Sequence, residues 1–287
     1  MPSSKKPQSK KTPPPTKTPS SPPKPPLPEA QPEAKADPVP THEAVSTLSL
    51  AEVLRALRLE HAASELEHAT QKAIARNDSP TSLLDKLMRD QLRVHLEQQA
   101  RAALKRSTIF PVTTLDTFDF DYPKSIDRDV VMRAATLDFI RDKTNCVFVG
   151  PSGVGKTHLA NAIGFLACLR GYRVRFILAA DLVNDLVASQ TRNTLHRRLL
   201  AWTKPDLLLV DELGYLSFDA RGADLLYQVF NRRYQRTSTI VTTNLAFKDW
   251  GKLFHNSAAA SAIADRLVHK GLLLRIAGKS RRSDQEV

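Results

Sequence analysis

Apolar residues recur at two different periods along this chain, and the change of period divides it. Leu50, Val53, Leu54, Leu57, Ala62, Leu66 and Ala73 fall at helical intervals on one stripe. "SLAE" sets Ser49 and Glu52 at the spacing of a capping box, which predicts a helix starting there. "NDSP" interrupts the stripe, with Ser79 as the expected N-cap and Pro80 at the first helical position. A second helix is predicted from about Thr81 to Arg106. The aromatic, turn-rich "IFPVTTLDTFDFDYPKS" then reads as a connector packed onto the next domain. From about Asp127 a helix leads into five short apolar runs, "CVFVG", "VRFIL", "DLLLVDE", "STIVTTN" and "LLLRI". Helical stretches separate these runs, which predicts a parallel sheet with helices on both faces. No internal repeat is present.

Composition changes this picture mainly at the N-terminus. The first forty residues hold 14 of the 19 prolines and seven lysines against three acids, and no aromatic residue precedes Phe110. Prolines at this density remove backbone donors and fix φ, so the segment is expected to be a polyproline-like tail. It reads either as a solubilising leader or as an arm that grazes DNA. Net charge is +12, which points to an anionic partner, nucleic acid before membrane. The two cysteines, Cys146 and Cys168, have neither disulfide-scaffold nor metal spacing and are expected to be small buried hydrophobes. No apolar run approaches the ~18 residues of a transmembrane helix, and the N-terminus lacks a secretory apolar core, so a cytoplasmic location is expected.

The candidate chemistry begins at "GPSGVGKTHLANAI". Gly150, Gly155, Lys156 and Thr157 fit G-x-x-x-x-G-K-[ST] between a predicted strand and a predicted helix, the context this phosphate-binding loop requires. Gly150, Pro151, Ser152, Gly153, Val154 and Gly155 would turn successive N–H groups towards phosphate oxygens, and the helix N-terminus adds partial positive charge. Lys156 supplies a full charge, and the Thr157 hydroxyl can ligate Mg²⁺. His158 follows in the same turn and reads as a helix residue behind the loop. In "LLLVDE" two carboxylates emerge at a strand's C-terminal end, where open α/β sheets bind ligands. Asp211 is placed to hold Mg²⁺ through water, and Glu212 to orient or deprotonate an attacking water. The next strand ends in "TTN", which brings Asn244 beside the same site. An asparagine that merely closes a strand is common, so its spacing after Asp211 carries that assignment. There is no N-K-x-D for guanine, which argues against a GTPase.

With these motifs in this order, the chain resembles the AAA+ ATPases, and within them the IstB-like transposition helpers, relatives of the DnaC-type helicase loaders. The resemblance spans roughly residues 45–282 and is most specific in "DELGYL" and "TTNLAFKDWG". It implies an α/β AAA+ core around a five-stranded parallel sheet, preceded by a small all-α domain. The expected divisions are a tail over 1–45, helices over 46–108, a connector over 109–126 and the ATPase domain over 127–287. With few residues after the last motif, the helical lid of most AAA+ proteins is not expected here. By the same resemblance ATP and Mg²⁺ are the cofactors, Asn244 is sensor 1, and Arg266 in "DRL" is a finger reaching a neighbour's ATP. The bland alternative for Arg266 is an ion pair with Asp265 or another nearby acid. Arg282 in "GKSRR" matches the family's terminal arginine, but Arg281 stands where the family has Tyr, so either could sense nucleotide.

Two basic stretches bear on the partner. Lys86, Arg89, Arg93, Arg101, Lys105 and Arg106 crowd the second predicted helix. Arg192, His196, Arg197, Arg198 and Lys204 occupy an acid-free interval between Asp185 and Asp206, where the resemblance implies a DNA-facing inserted helix. Lys86, Arg93, Arg101, Lys105, Arg106, Arg192, Arg197 and Arg198 are the candidate DNA contacts, on double-stranded DNA and largely independent of sequence. Further basic residues between Arg266 and Arg282 suit subunit contacts equally well. Together these features point to a homo-oligomeric, ATP-dependent DNA-binding factor that assists a transposase. A replicative helicase as client is the alternative, and a small-molecule phosphotransferase is disfavoured for want of a second cluster of polar groups.

Overall fold

Five strands line up in the order β2-β3-β4-β1-β5, all parallel, in the computed structural model, which describes residues 46–122, 125–254, 257–278 and 280. They are β1 (Cys146–Val149), β2 (Val174–Leu178), β3 (Leu207–Leu213), β4 (Ser238–Thr243) and β5 (Leu272–Arg275). Each of the five apolar runs is thus a strand. Apolar residues dominate β1 and the first four positions of β3 because both faces of the sheet are covered. One face presents Cys146, Phe148, Leu207, Leu209 and Ile240 to Leu159, Ile163 and Ala167 of α6 (Lys156–Leu169). The other gathers Val147, Leu208, Val210 and Val241 into one core with residues of five helices. These are α7 (Ala179–Thr191), α8 (Leu195–Thr203), α9 (Ala220–Arg233), α10 (Trp250–Phe254) and α11 (Ser257–Val268). Both cysteines are buried and free, and burial pushes their thiol pKa values up, which suits inert packing. Among the described residues no helix follows β5 and no helix is long and apolar enough to cross a membrane.

Three helices precede the sheet: α1 (Leu50–Ala56), α2 (Glu60–Arg76) and α3 (Pro80–Ser107). The first predicted stripe is therefore two helices, not one. Arg58 adopts a left-handed φ of 60° and the Leu59 amide closes back on the Leu54 carbonyl at 2.8 Å, ending α1. Leu50 and Leu57 are consequently exposed, and the small core here is Leu54, Ala62, Ala63 and Leu87. Ser79 does cap α3, accepting from the Ser82 amide at 3.2 Å with Pro80 at the first turn. The end of α3 docks on the sheet through Thr108, whose hydroxyl donates to the Phe176 carbonyl at 2.8 Å. Two short helices, α4 (Arg128–Ala135) and α5 (Asp138–Arg141), lead into β1. Asp127 caps α4 through the Val130 amide. The stretch from Leu50 onward forms one compact unit; the expected Pro/Lys tail lies outside the described residues.

At the end of the sheet opposite the strand C-termini lies a buried cation, Arg233, 1% exposed. Its guanidinium donates to the carbonyls of Trp202 (3.1 Å) and Pro205 (3.0 Å), to that of Ser238, and to the Thr239 hydroxyl (3.0 Å). Trp202 belongs to α8 (Leu195–Thr203), so one side chain ties α8, the start of β3, α9 and β4 together. Donors and acceptors are thereby matched in a place where unpaired ones would be costly.

Candidate functional site

The phosphate loop is the turn from Val149 at the end of β1 to Lys156 at the start of α6. Gly155 caps α6 with φ 91°, and a Cβ there would lie 2.6 Å from the Phe118 ring, so glycine is required on both counts. The first turn of α6 carries no acid, which leaves the positive end of the helix dipole available. Lys156 is 9% exposed and its ammonium donates to the Pro151 carbonyl at 2.6 Å. Thr157 donates to Asp211 Oδ1 at 3.0 Å across from β3.

Strand alternation delivers Asp211 to this point. Leu207, Leu209 and Asp211 share the face turned to α6, and Asp211 is the last and the polar member of that row. It is 2% exposed and accepts from two hydroxyls, Thr157 and Thr242. No Lys or Arg pairs with it among the described residues. A buried carboxylate ringed by hydroxyls and lacking a cationic partner is a donor set that suits a hard cation. Glu212 is exposed beside it, in a bulge where β3 shifts register against β4, with φ 58°. That left-handed backbone costs about 1–3 kcal/mol in a non-glycine residue and tends to mark working sites.

Asn244 follows β4 and reaches the same space. Its Oδ1 is buried with no hydrogen-bond partner among the described residues. Gly214, at φ 118°, makes room for it: a Cβ there would sit 2.8 Å from that oxygen. Tyr215 closes the side of the site, its hydroxyl 2.7 Å from Ser152 Oγ. Lys156, Thr157, Glu212, Tyr215, Thr242 and Asn244 together line a cavity of about 180 Å³.

A second cavity of about 120 Å³ adjoins it, between the loop glycines and the aromatic connector. Phe118 meets both Phe120 (5.0 Å between centroids) and His158 (5.1 Å) edge to face. His158 Nε2 lies 3.1 Å from the Thr114 carbonyl, and its own carbonyl accepts from Thr113 at 2.9 Å. His158 thus clasps the connector, and the loop, α6 and residues 113–118 are one assembly. The connector packs against the domain as its sequence predicts, and beyond that expectation Thr117, Phe118, Asp119 and Tyr122 form a wall of the site. Its density of aromatics was the available signal.

Arg266 lines neither cavity. Its guanidinium donates to Asn231 Oδ1 (2.9 Å), the Tyr227 hydroxyl (3.1 Å) and the Ala262 carbonyl (2.9 Å), over the Tyr227 ring at 5.0 Å. Its partners are neutral, and Asp265 is not among them. The Arg281 and Arg282 assignments lie outside the described residues.

The basic residues divide into two kinds. Arg198 pairs with Asp185 at 2.5 Å and lies over the Trp202 ring; Lys86 pairs with Asp78, and Arg93 with Asp90 and Glu97. By contrast Arg101, Lys105, Arg106, Arg192 and Arg197 are exposed and unpaired among the described residues. Arg106 from α3 and Lys204 after α8 border one groove of about 580 Å³, floored by Tyr172 and Val174. Residues far apart in sequence therefore converge on one basic groove at the β2 edge.

The IstB-like ATP binding protein family model matches residues 52–287. The chain belongs to that family. A relative described as an ATP-binding protein of insertion sequence IS5376, from Geobacillus stearothermophilus, is 41% identical over 190 residues, covering 65% of this chain and 76% of its own. Another, of insertion sequence IS21 from Pseudomonas aeruginosa, is 35% identical, covering 81% of this chain and 88% of its own. Among solved structures, AMPPCP-bound DnaA from Aquifex aeolicus superposes with a TM-score of 0.50 at 26% identity, over 59% of this chain and 51% of that one. This IstB-like chain is an ATPase with the AAA+ fold.

Proposed function

We propose that this ATPase assembles as a homo-oligomer on double-stranded DNA and assists a transposase in insertion-sequence transposition. The observation that carries the reading is the buried Asp211 and Thr157 pair at the foot of a phosphate loop, in a chain whose relatives are described as insertion-sequence proteins. ATP would lie along the two adjoining cavities, its phosphates on the loop amides and Lys156, its base against the connector aromatics. Thr157 and Asp211 fit Mg²⁺, which when bound neutralises charge on the β- and γ-phosphates. Asn244 Oδ1 accepts a hydrogen bond from the attacking water and so orients it. Glu212 takes that water's proton as its oxygen bonds to the γ-phosphorus and the bond to ADP breaks. Arg266 is the group a neighbouring subunit would present to the γ-phosphate. Arg106, Arg192, Arg197 and their unpaired neighbours contact the DNA backbone.

Binding to unrelated duplexes, measured with ATP or ADP over a range of salt concentrations, tests this reading. Affinity should be higher with ATP, fall steeply with salt and vary little with sequence. A flat salt dependence, or binding indifferent to nucleotide, would overturn it.

A further inference from the structure

We infer that Thr242 is a positioning residue for ATP hydrolysis, one hydroxyl that holds both acids of the site in place. The register of β3 on β4 shows why it is needed. Pairing runs one to one from Leu207↔Ser238 to Val210↔Val241 and resumes at Leu213↔Thr243, so Asp211 and Glu212 together oppose the single residue Thr242. Two residues against one is a β-bulge, and it takes amides out of the ladder. The Glu212 amide so released donates to Thr242 Oγ1 at 3.0 Å. The same hydroxyl donates its proton to Asp211 Oδ1. A hydroxyl has one proton and two lone pairs, so these two bonds use it as donor and acceptor at once.

The side chain is 1% exposed in a central strand, on the face where Ile240 precedes it. Valine would fill that volume, favour the strand and bury no polar atom, so packing alone does not call for threonine. Branching at Cβ restricts χ1, which keeps Oγ1 aimed between its partners. The site gains in two ways. The left-handed φ of Glu212 persists because its amide is tied, and that φ turns the carboxylate out of the sheet into the cavity. Asp211 also has a tether that survives if Thr157 turns to a cation, since the Thr157 hydroxyl shares Oδ1 with Thr242.

The inference rests on the roles proposed for Asp211 and Glu212, so Asp211→Asn and Glu212→Gln run beside it. The decisive variants of the full chain are Thr242→Val, which keeps volume, and Thr242→Ser, which keeps the hydroxyl. Groups that orient a metal-site ligand typically govern 10–100-fold in affinity or activity. At saturating Mg²⁺, Thr242→Val should therefore lower kcat by about 10–100-fold while KM for ATP changes little, a split expected when ground-state binding is intact. Without turnover, the Mg²⁺ concentration needed for a non-hydrolysed ATP analogue to raise the melting temperature should increase by a similar factor. Thr242→Ser should recover most of both losses. If Thr242→Val does not fold, Thr242→Cys gives the same readings with a weak hydrogen-bonding group. A valine or cysteine variant with kcat and Mg²⁺ dependence within a few-fold of wild type overturns the inference, and so does a serine variant as impaired as valine. Retained hydrolysis in Asp211→Asn and Glu212→Gln would instead remove the site assignment itself, and this inference with it.

Discussion

The nucleotide pocket and the basic surface hold their charges in opposite ways. In the pocket Lys156 and Asp211 are almost fully buried, and each is engaged by oxygen atoms a few residues or one strand away. On the surface the side chains of Arg106, Arg192 and Arg197 are exposed, with no ionic or hydrogen-bond partner among the described residues. The first arrangement is preorganised for a ligand of one geometry, and single changes in it should be severe. In the proposed function the second would act through summed charge, tolerate loss of any one member and be screened by salt. Arg198 differs from these in being held by Asp185 and lying over the Trp202 ring.

The strongest test of this contrast asks whether the pocket is complete within one chain. Arginines supplied across an interface contribute on the order of 10³–10⁵ in rate in well-studied GTPases. Arg266→Ala should keep ATP binding yet lose most hydrolysis. Mixed with Lys156→Ala subunits it should regain part of it, because each supplies what the other lacks. No rescue at any ratio, with both variants folded and associating, would return Arg266 to a role in packing α11 on α9. Next in size, Glu212→Gln should bind ATP normally and hydrolyse it about 10²–10⁴-fold more slowly. Near-normal turnover would make Glu212 an ordinary strand-end acid.

Smaller effects should come from the surface. Replacing Arg106, Arg197 and Lys204 together by Ala should lower the slope of log affinity against log salt by up to about three, roughly one for each phosphate no longer neutralised. Hydrolysis without DNA should be unaffected. Arg198→Ala should leave that slope alone and cost stability instead, by up to about 1 kcal/mol for a partly exposed pair. An unchanged slope in the triple variant and a reduced one in Arg198→Ala would invert the division between free and structural cations.

The smallest effect is pH-linked. Hydrogen bonds from Arg173 hold Asp206 below the usual carboxylate range. A lowered folded-state pKa adds stability above the unfolded value near 4, and that contribution fades as pH falls through the lowered value. Arg173→Ala should therefore reduce stability at neutral pH by about 1 kcal/mol or less and flatten the acid limb, as chemical denaturation at several pH values would show.

The fold was legible because strands covered on both faces carry apolar cores, which made all five visible even though Arg175 interrupts β2 and Ser238, Thr239, Thr242 and Thr243 make up most of β4. The loop and Asp211 were legible for a related reason: their chemistry depends on spacing along the chain. Thr242 was not, since its importance arises from a bulge that pairs it with two residues of another strand. Nor was the partition of the basic residues, which depends on whether an acid such as Asp185 folds back within reach. The break between α1 and α2 escaped because the apolar spacing continues through Arg58 while the backbone does not. Phe118 showed as aromatic density, but only the fold sets its ring against Gly155.

Arg233 has a consequence for how the far end of the sheet should be regarded. Burial pushes its guanidinium down to about pKa 9, which leaves it cationic at neutral pH. Carbonyls from three backbone segments and one hydroxyl surround it. Chemically this is a monovalent ion in a solvation cage, with the α9 backbone as its leash. Shortening the residue to alanine would leave the cage standing empty, its oxygens turned inward with no proton to accept. Such a hollow has the shape and polarity for free guanidinium, so millimolar amounts of that ion, too little to denature, should return part of the melting temperature that Arg233→Ala loses.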